Sequence, residues 1–395
     1  MNEASAPLVF LVAGEPSGDT LGARLMASLK ELTGDRIRFS GVGGPQMQSE
    51  GLNSLFPIGE LSVMGLAEVL PRLPRLAKRL RQTRDMALKQ KPDVVVTIDS
   101  PGFCFRLAKR LKGKGMPLVH YVAPSVWAWK PGRAKEVAGF LDHLLALLPF
   151  EPPYFEKEGL ACSFVGHPVI ESGAADGDGT AFRRRHNIPE GAPLLCVLPG
   201  SRNSETKRLL PVFGETVGKL YQARRSLQIV LPTVDTVADE VEAACASWPV
   251  RPIIIRDGAE KYDAFAAADV ALAASGTVSL ELSLAGTASV IAYRLNPLTA
   301  FFARRLLKIH YASLVNILLD REVVPEHLQE QCRPDTLATA VGELLDNADR
   351  RLEQLNSAAE ALAQLGQGGD SPSKRAAKVV LSVIRNMKSD KLEEE

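Results

Sequence analysis

Long apolar runs, metal-spaced cysteines and an excess of either charge are all missing from this chain of 395 residues. No stretch reaches the ~20 consecutive apolar residues that a membrane-crossing helix needs, so any membrane contact is expected to be peripheral. The N-terminal MNEASAP carries an acid and no base ahead of a short apolar run, unlike a secretory signal, and this points to the cytoplasm. The five cysteines, Cys104, Cys162, Cys196, Cys245 and Cys332, form no CxxC pair. They read as buried free thiols in a reducing compartment rather than as zinc ligands or disulfides. A net charge of +1 supplies no long-range attraction for nucleic acid. No Asp-x-Asp pair ends a strand and no histidine pair has metal spacing, so neither metal nor cofactor is expected. Leaving-group charge must then be met by arginine and backbone amides.

What is present is a repeated alternation. Hydrophobic residues make up 46% and charged residues 24%, as in folded globular proteins, and the length suggests two domains. Strand-length apolar runs begin at Leu8, Arg36, Asp93, Pro117 and His143, and again at Leu194, Leu227, Pro252, Val270 and Ser289. Each is followed by a turn and a segment of helical period. Continuous apolar strands alternating with helices predict α/β halves, each a doubly wound parallel sheet. The segment ESGAADGDGT, residues 171–180, is rich in small and acidic residues and reads as a linker between a domain of residues 1–170 and one of 181–335. Residues 336–386 read as helices that pack back on an N-terminal domain. The charged tail at 387–395 is expected to fray.

Ligands of open parallel sheets bind beyond the carboxyl ends of the strands, so the turns carry the chemistry. After the first strand comes GEPSGD, with Gly14, Glu15, Ser17, Gly18 and Asp19; its spacing is neither the dinucleotide fingerprint nor a P-loop. Ser17 or Asp19 can cap a helix starting near Leu21, and the loop amides can meet an anion or a sugar hydroxyl. The third strand ends at Asp99, a candidate general base. The fourth leads into YVAPSVWAWKPGRAK, where Ser125 and Trp127 are candidate contacts for a sugar ring or acyl chain. In the second half, LPGSR presents Arg202, suited to a diphosphate. ASGTVSLE presents Ser275, Gly276 and Thr277 for a phosphate and Glu281 for ribose hydroxyls. Each of these also has a purely structural reading, as a tight turn, a helix cap or a core aromatic.

From Gly65 a segment combines Leu66, Val69, Leu70, Leu73 and Leu76 at helical spacing with Arg72, Arg75 and further bases. Such a face suits an anionic membrane surface, or else turns its leucines to the core. Phe301 and Phe302 in TAFFARRLLK repeat the combination.

Together, AGEPSGD, GVGGPQM, VMGLAEVL, TIDSPGF, YVAPSVWAWKPGRAK, LLPFEPPYFEK, FVGHP, LPGSR, SGTVSLE and SLVNILL, in this order to about Gln331, resemble the bacterial lipid-A-disaccharide synthase family. The resemblance implies a GT-B glycosyltransferase of two Rossmann-like domains, the N-terminal one for the acceptor and the C-terminal one for UDP. The implied reaction joins UDP-2,3-diacylglucosamine to 2,3-diacylglucosamine 1-phosphate through a β-1,6 bond, on the cytoplasmic side of the inner membrane in a Gram-negative bacterium. It further implies Asp99 as general base, and Arg202, Glu281 and Asn316 in the nucleotide site. Cys104 stands where the resemblance leads one to expect Asn. The helical C-terminus leaves a homodimer open. Alternatives on the same architecture are a UDP-sugar 2-epimerase and a non-catalytic nucleotide- or lipid-binding protein.

Overall fold

A computed structural model describes residues 6–61, 66–130, 132–296, 300 and 309–393, with backbone alone for 66–72, 388 and 390–393. The chain divides into two compact units, Met1–Pro168 with Gly368–Glu395, and Val169–Gln367.

In the first unit six strands, β1 (Leu8–Ala13), β2 (Arg38–Val42), β3 (Val94–Ile98), β4 (Leu118–Tyr121), β5 (His143–Ala146) and β6 (Ala161–Phe164), form one parallel sheet in the order β2-β1-β3-β4-β5-β6. All five residues of β3, VVVTI, are buried, as expected of a strand covered on both faces. The helices of this unit are α1 (Pro16–Thr33), α2 (Pro45–Ser49), α3 (Leu66–Gln90), α4 (Pro101–Leu111), α5 (Arg133–Ala138) and α6 (Pro152–Glu156). On α4 the buried residues Phe103, Cys104, Leu107, Ala108 and Leu111 recur at three- and four-residue spacing and cover one face of the sheet.

The second unit repeats the design. Its strands β7 (Leu194–Leu198), β8 (Gln228–Pro232), β9 (Ile253–Ile255), β10 (Val270–Ala274), β11 (Ala288–Tyr293) and β12 (Glu326–Leu328) are parallel in the order β12-β11-β10-β7-β8-β9. Its helices are α7 (Gly179–Arg185), α8 (Asn203–Ala223), α9 (Asp235–Cys245), α10 (Lys261–Ala267), α11 (Val278–Leu284), α12 (Leu314–Leu319), α13 (Pro334–Asp346) and α14 (Ala348–Gln364). Two strands escaped the sequence reading, β6 and β12. Both are sheet-edge strands, ACSF of four residues and EHL of three, and neither contains a run of consecutive large apolar residues.

The C-terminal helices do not behave as one group. α13 packs on α8 and α14 on α11 and α12, so both belong to the second unit. Only the last helix, α15 (Pro372–Glu393), returns to the first unit, where it lies on α1. Ala376, Ala377, Val380 and Ile384 enter that core, and Ser28 Oγ donates to Ser373 Oγ at 2.9 Å in its buried part. Its small Ala376 and Ala377 side chains permit a close approach to α1. The helix also runs through most of the tail expected to fray.

The segment read as a linker is ordered and belongs to the second unit. Gly177 and Gly179 serve contact rather than flexibility: a Cβ on Gly177 would lie 2.2 Å from the Tyr262 carbonyl oxygen, although its φ of −65° suits any residue, and one on Gly179 2.5 Å from that of Ala266. Asp178 accepts from Ala181 N at 2.8 Å to cap α7, while its own amide donates to Asp263 at 2.8 Å. The sequence reading missed this because small residues signal close packing and loose chain alike. Gly177→Ala should therefore cost ~2 kcal/mol or more by overpacking alone, read as a lower denaturant midpoint with an unchanged m value.

Candidate active site

In each sheet the strand order reverses once, between β1 and β3 and between β7 and β10. At such a point the two following loops diverge to opposite faces and leave a crevice. The four motifs GEPSGD, DSPGF, LPGSR and ASGTVSLE follow these four strands.

At the first crevice the loops are packed against each other. A Cβ on Gly14 would fall 2.5 Å from Ser100 Oγ, so only glycine admits the β3 turn at this distance. Ser17 Oγ donates to Asp99 Oδ2 at 3.3 Å. Asp99 and Ser100 both have left-handed backbone, with φ of 50° and 45°, a conformation costing roughly 1–3 kcal/mol each that collects at functional sites. Asp99 itself is only partly exposed, at the carboxyl end of β3. Gly18 lies against β3, its would-be Cβ 3.3 Å from the Ile98 carbonyl oxygen. Cys104 is fully buried beneath this turn, and burial raises its thiol pKa far above the usual range.

Two residues of GEPSGD differ from expectation. α1 starts at Pro16 rather than near Leu21, because a proline at the first position loses no needed donor, and no side chain caps it. Asp19 is buried and caps another helix: it accepts from Gly44 N at 2.8 Å and from Gln46 N and Met47 N at 3.0 Å at the start of α2. Its carboxylate is thereby committed to holding GVGGPQM beside GEPSGD. Glu15 takes the position before α1 and is half-buried.

Ser125 is exposed on the β4 loop. Trp127 is half-buried, with its indole edge on Phe150 and its Nε1 donating to Glu151 Oε1 at 3.1 Å. Glu151 was not singled out from sequence. It is 3% exposed and also accepts from Leu147 N and Leu148 N at 3.1 and 3.0 Å, so it ties the tryptophan loop to the turn after β5. Burial pushes its pKa up to about 7 against these hydrogen bonds.

In the second unit the loops after β7, β8, β9 and β10 surround a cleft of about 670 Å³, lined by Arg202, Ser275, Gly276, Thr277 and Glu281 together with Glu205, Thr233, Arg256 and Lys261. Its volume suits a small ligand such as a nucleotide. Arg202 is exposed at the head of α8, and its Nη1 donates to Glu205 Oε1 at 2.9 Å. The Glu205 carboxylate also accepts from Ser201 N at 3.3 Å, holding the loop. Glu205 follows Arg202 by three residues, a helix-start signal legible in SRNSE. Arg256 is taken up by Asp239 and Glu242 at 2.9 and 2.8 Å. Glu281 receives Lys261 Nζ at 2.7 Å and Tyr262 OH at 3.0 Å.

Asn316 is not in this cleft. It is fully buried; Nδ2 donates to the Val324 carbonyl and to Glu326 Oε1, and Oδ1 accepts from Val323 N and Val324 N, the four at 2.8–2.9 Å. Glu326 in turn accepts from Ala312 N and Ser313 N at 2.8 Å, and Ser275 Oγ donates to the Ala312 carbonyl at 3.0 Å. Asn316 therefore acts on the site through two intermediaries, and a fully engaged amide has nothing left for a ligand. A second concavity of about 690 Å³ lies beside α13 and α14, but its Arg321 and Arg350 are paired with Glu360 and Glu343. It lacks the converging loop ends of a switch point.

Of the proposed membrane residues, Leu73 is 42% exposed and Arg75 is exposed, whereas Leu76 packs against the core; one turn further on, Leu80 is buried. The Arg79 guanidinium donates to both Glu60 oxygens at 2.8 and 2.6 Å, fixing α3 to the preceding turn. The side chains of Leu66, Val69, Leu70 and Arg72, and all of Phe301 and Phe302, lie outside the described residues. No described helix is long and apolar enough to cross a membrane. Among the described residues no group of three or more His, Cys, Asp or Glu could hold a metal ion, and all five cysteines are buried and unpaired.

The architecture defines the class. It matches a UDP-GlcNAc 2-epimerase from Neisseria meningitidis bound to UDP-GlcNAc, with a TM-score of 0.60 over 96% of this chain and 99% of that one, at 11% identity. It also matches MurG from Acinetobacter baumannii, with a TM-score of 0.55 over 95% and 99%, at 14% identity. These likenesses show a GT-B-like fold. The sequence goes further: residues 9–380 match the family described as lipid-A-disaccharide synthetase. The lipid-A-disaccharide synthase of Rhodospirillum centenum is 58% identical over 95% of this chain and 94% of its own length. That of Paramagnetospirillum magneticum is 54% identical over 97% and 99%. The chain belongs to the lipid-A-disaccharide synthase family, glycosyltransferases of lipid A biosynthesis.

The Glu151 carboxyl carries a pH signature. A carboxyl whose folded pKa lies above its unfolded value stabilises the fold below the unfolded pKa, and that contribution is lost as pH rises through about 7. The stability of the wild type relative to Glu151→Gln should therefore fall by roughly 2–3 kcal/mol between pH 4.5 and 7.5. Paired denaturation curves across this range measure it, and a flat difference would show that Glu151 ionises normally.

Proposed function

We propose that the enzyme transfers the 2,3-diacylglucosaminyl group of a UDP-linked donor to the 6-hydroxyl of 2,3-diacylglucosamine 1-phosphate in a single inverting displacement. Asp99 takes the proton of the attacking hydroxyl as the new β-1,6 bond forms at the anomeric carbon, and the bond to the diphosphate breaks on the opposite face, with UDP leaving as the anion. Support comes from a strained, partly exposed carboxylate at one switch point and a cleft with an exposed arginine at the other. The Ser17 hydroxyl steadies the Asp99 carboxylate for its role as base.

In this reading the second-unit cleft takes UDP. Arg202 and the amides of residues 275–277 meet the developing diphosphate charge. α11 has only seven residues, so the arginine and the local amides matter more than a helix dipole. Glu281 receives the ribose. Gly14, Glu15, Ser17 and Gly18, with Ser125 and Trp127, form the acceptor side, where Asp19 contributes by holding the loop. Asn316 supports the Ser275 loop. Residues 66–75 of α3 offer the peripheral membrane contact, carried by Leu73 and Arg75 on the exposed side.

Asp99→Ala should lower turnover by ~10²-fold or more while UDP binding is kept; unchanged turnover would take Asp99 out of the mechanism. The assay is UDP release from diacylated donor in detergent, which must require the acceptor. A Val69→Ser, Leu73→Ser variant should move enzyme from membrane to soluble fractions with its thermal midpoint kept; Leu76 is left intact because it packs on the core. Loss of folding in that variant would make these side chains core.

A further inference from the structure

We propose that Lys261 and Tyr262 form a clamp that sets the ribose selectivity of the second-unit cleft by fixing Glu281. The inference rests on the reading that Glu281 receives the ribose of the nucleotide. Lys261 Nζ donates to one Glu281 oxygen at 2.7 Å and Tyr262 OH to the other at 3.0 Å. Each carboxylate oxygen accepts about two hydrogen bonds, so one acceptor position remains on each for the two neighbouring hydroxyls of a ribose. An unrestrained glutamate would lose side-chain freedom when the nucleotide bound; one already held by two donors loses much less.

The clamp is itself anchored. The Lys261 ammonium lies 5.0 Å from the Tyr262 ring centre and 5.4 Å from that of Phe265, and the Tyr262 ring meets Phe265 edge-on at 5.9 Å. Phe265 is fully buried, so both donors stand on the core side of α10.

Neither residue carries a sequence signal, since Lys-Tyr at a helix start is ordinary; twenty and nineteen residues separate them from the acid they hold.

The test is calorimetric titration of the full-length enzyme with UDP and with 2′-deoxy-UDP. Wild type should prefer UDP by about tenfold or more, and Glu281→Ala should abolish the preference. Lys261→Met and Tyr262→Phe should each weaken UDP about five- to tenfold while 2′-deoxy-UDP stays within about twofold, and Lys261→Arg should restore the preference. Equal weakening of both nucleotides would mean that Lys261 or Tyr262 touches the phosphates or merely supports the fold, and would overturn the clamp. A wild-type preference in both variants would overturn it as well. If Glu281→Ala itself keeps the preference, the ribose assignment fails and takes the clamp with it. Tyr262→Phe removes a single oxygen, and thermal midpoints confirm that the variants compared are folded.

Discussion

Everything at the site depends on the parallel pairing of strands whose two faces are both covered. Such strands can carry almost no polar side chain along their length, and β3, β7 and β10 are buried throughout. Polar chemistry is therefore displaced to the ends, where each strand gives way to a helix. Parallel pairing puts all carboxyl ends on one edge, and a single reversal of strand order opens a crevice there. The enzyme meets this constraint twice, with an acid at one crevice and an arginine with small, amide-rich loops at the other.

Those loops are held by carboxylates that gather the donors of the turns around them. Asp19 binds three amides of the α2 start, Glu151 two amides and an indole, Glu205 an amide and Arg202, and Glu326 two amides and Asn316. An acceptor-only group with two oxygens can gather several N–H donors that a turn would otherwise leave unpaired. With three donors each, Asp19 and Glu151 have little acceptor capacity left. The same residue types thus appear as candidate catalysts in sequence and as fasteners in three dimensions.

The likeness to 2-epimerases and to MurG belongs to the scaffold alone, since identities of 11% and 14% carry no chemistry. The alternative of a 2-epimerase-like activity gives way to the full-length match with lipid-A-disaccharide synthases.

The sequence by itself determined the α/β class, ten of the twelve described strands, and which turns close the carboxyl ends of those strands, because apolar runs and the loops ending them are local signals. It also determined the family, through motifs spread over nearly the whole chain. Only the tertiary structure decided which polar side chains are occupied: Asp19 becomes a support for α2 and Lys261 and Tyr262 join Glu281 through partners nineteen to twenty-eight residues apart, while Asn316 is taken up by the turn just after its own helix. It alone placed Leu76 on the core, gave the 171–180 segment a packed role, and sent the last helix but not the two before it back to the first unit. Apart from Asn316, the physical reason is the same in each case. A residue's type limits the bonds it can form, but the neighbours that claim those bonds are set by packing between segments far apart in sequence.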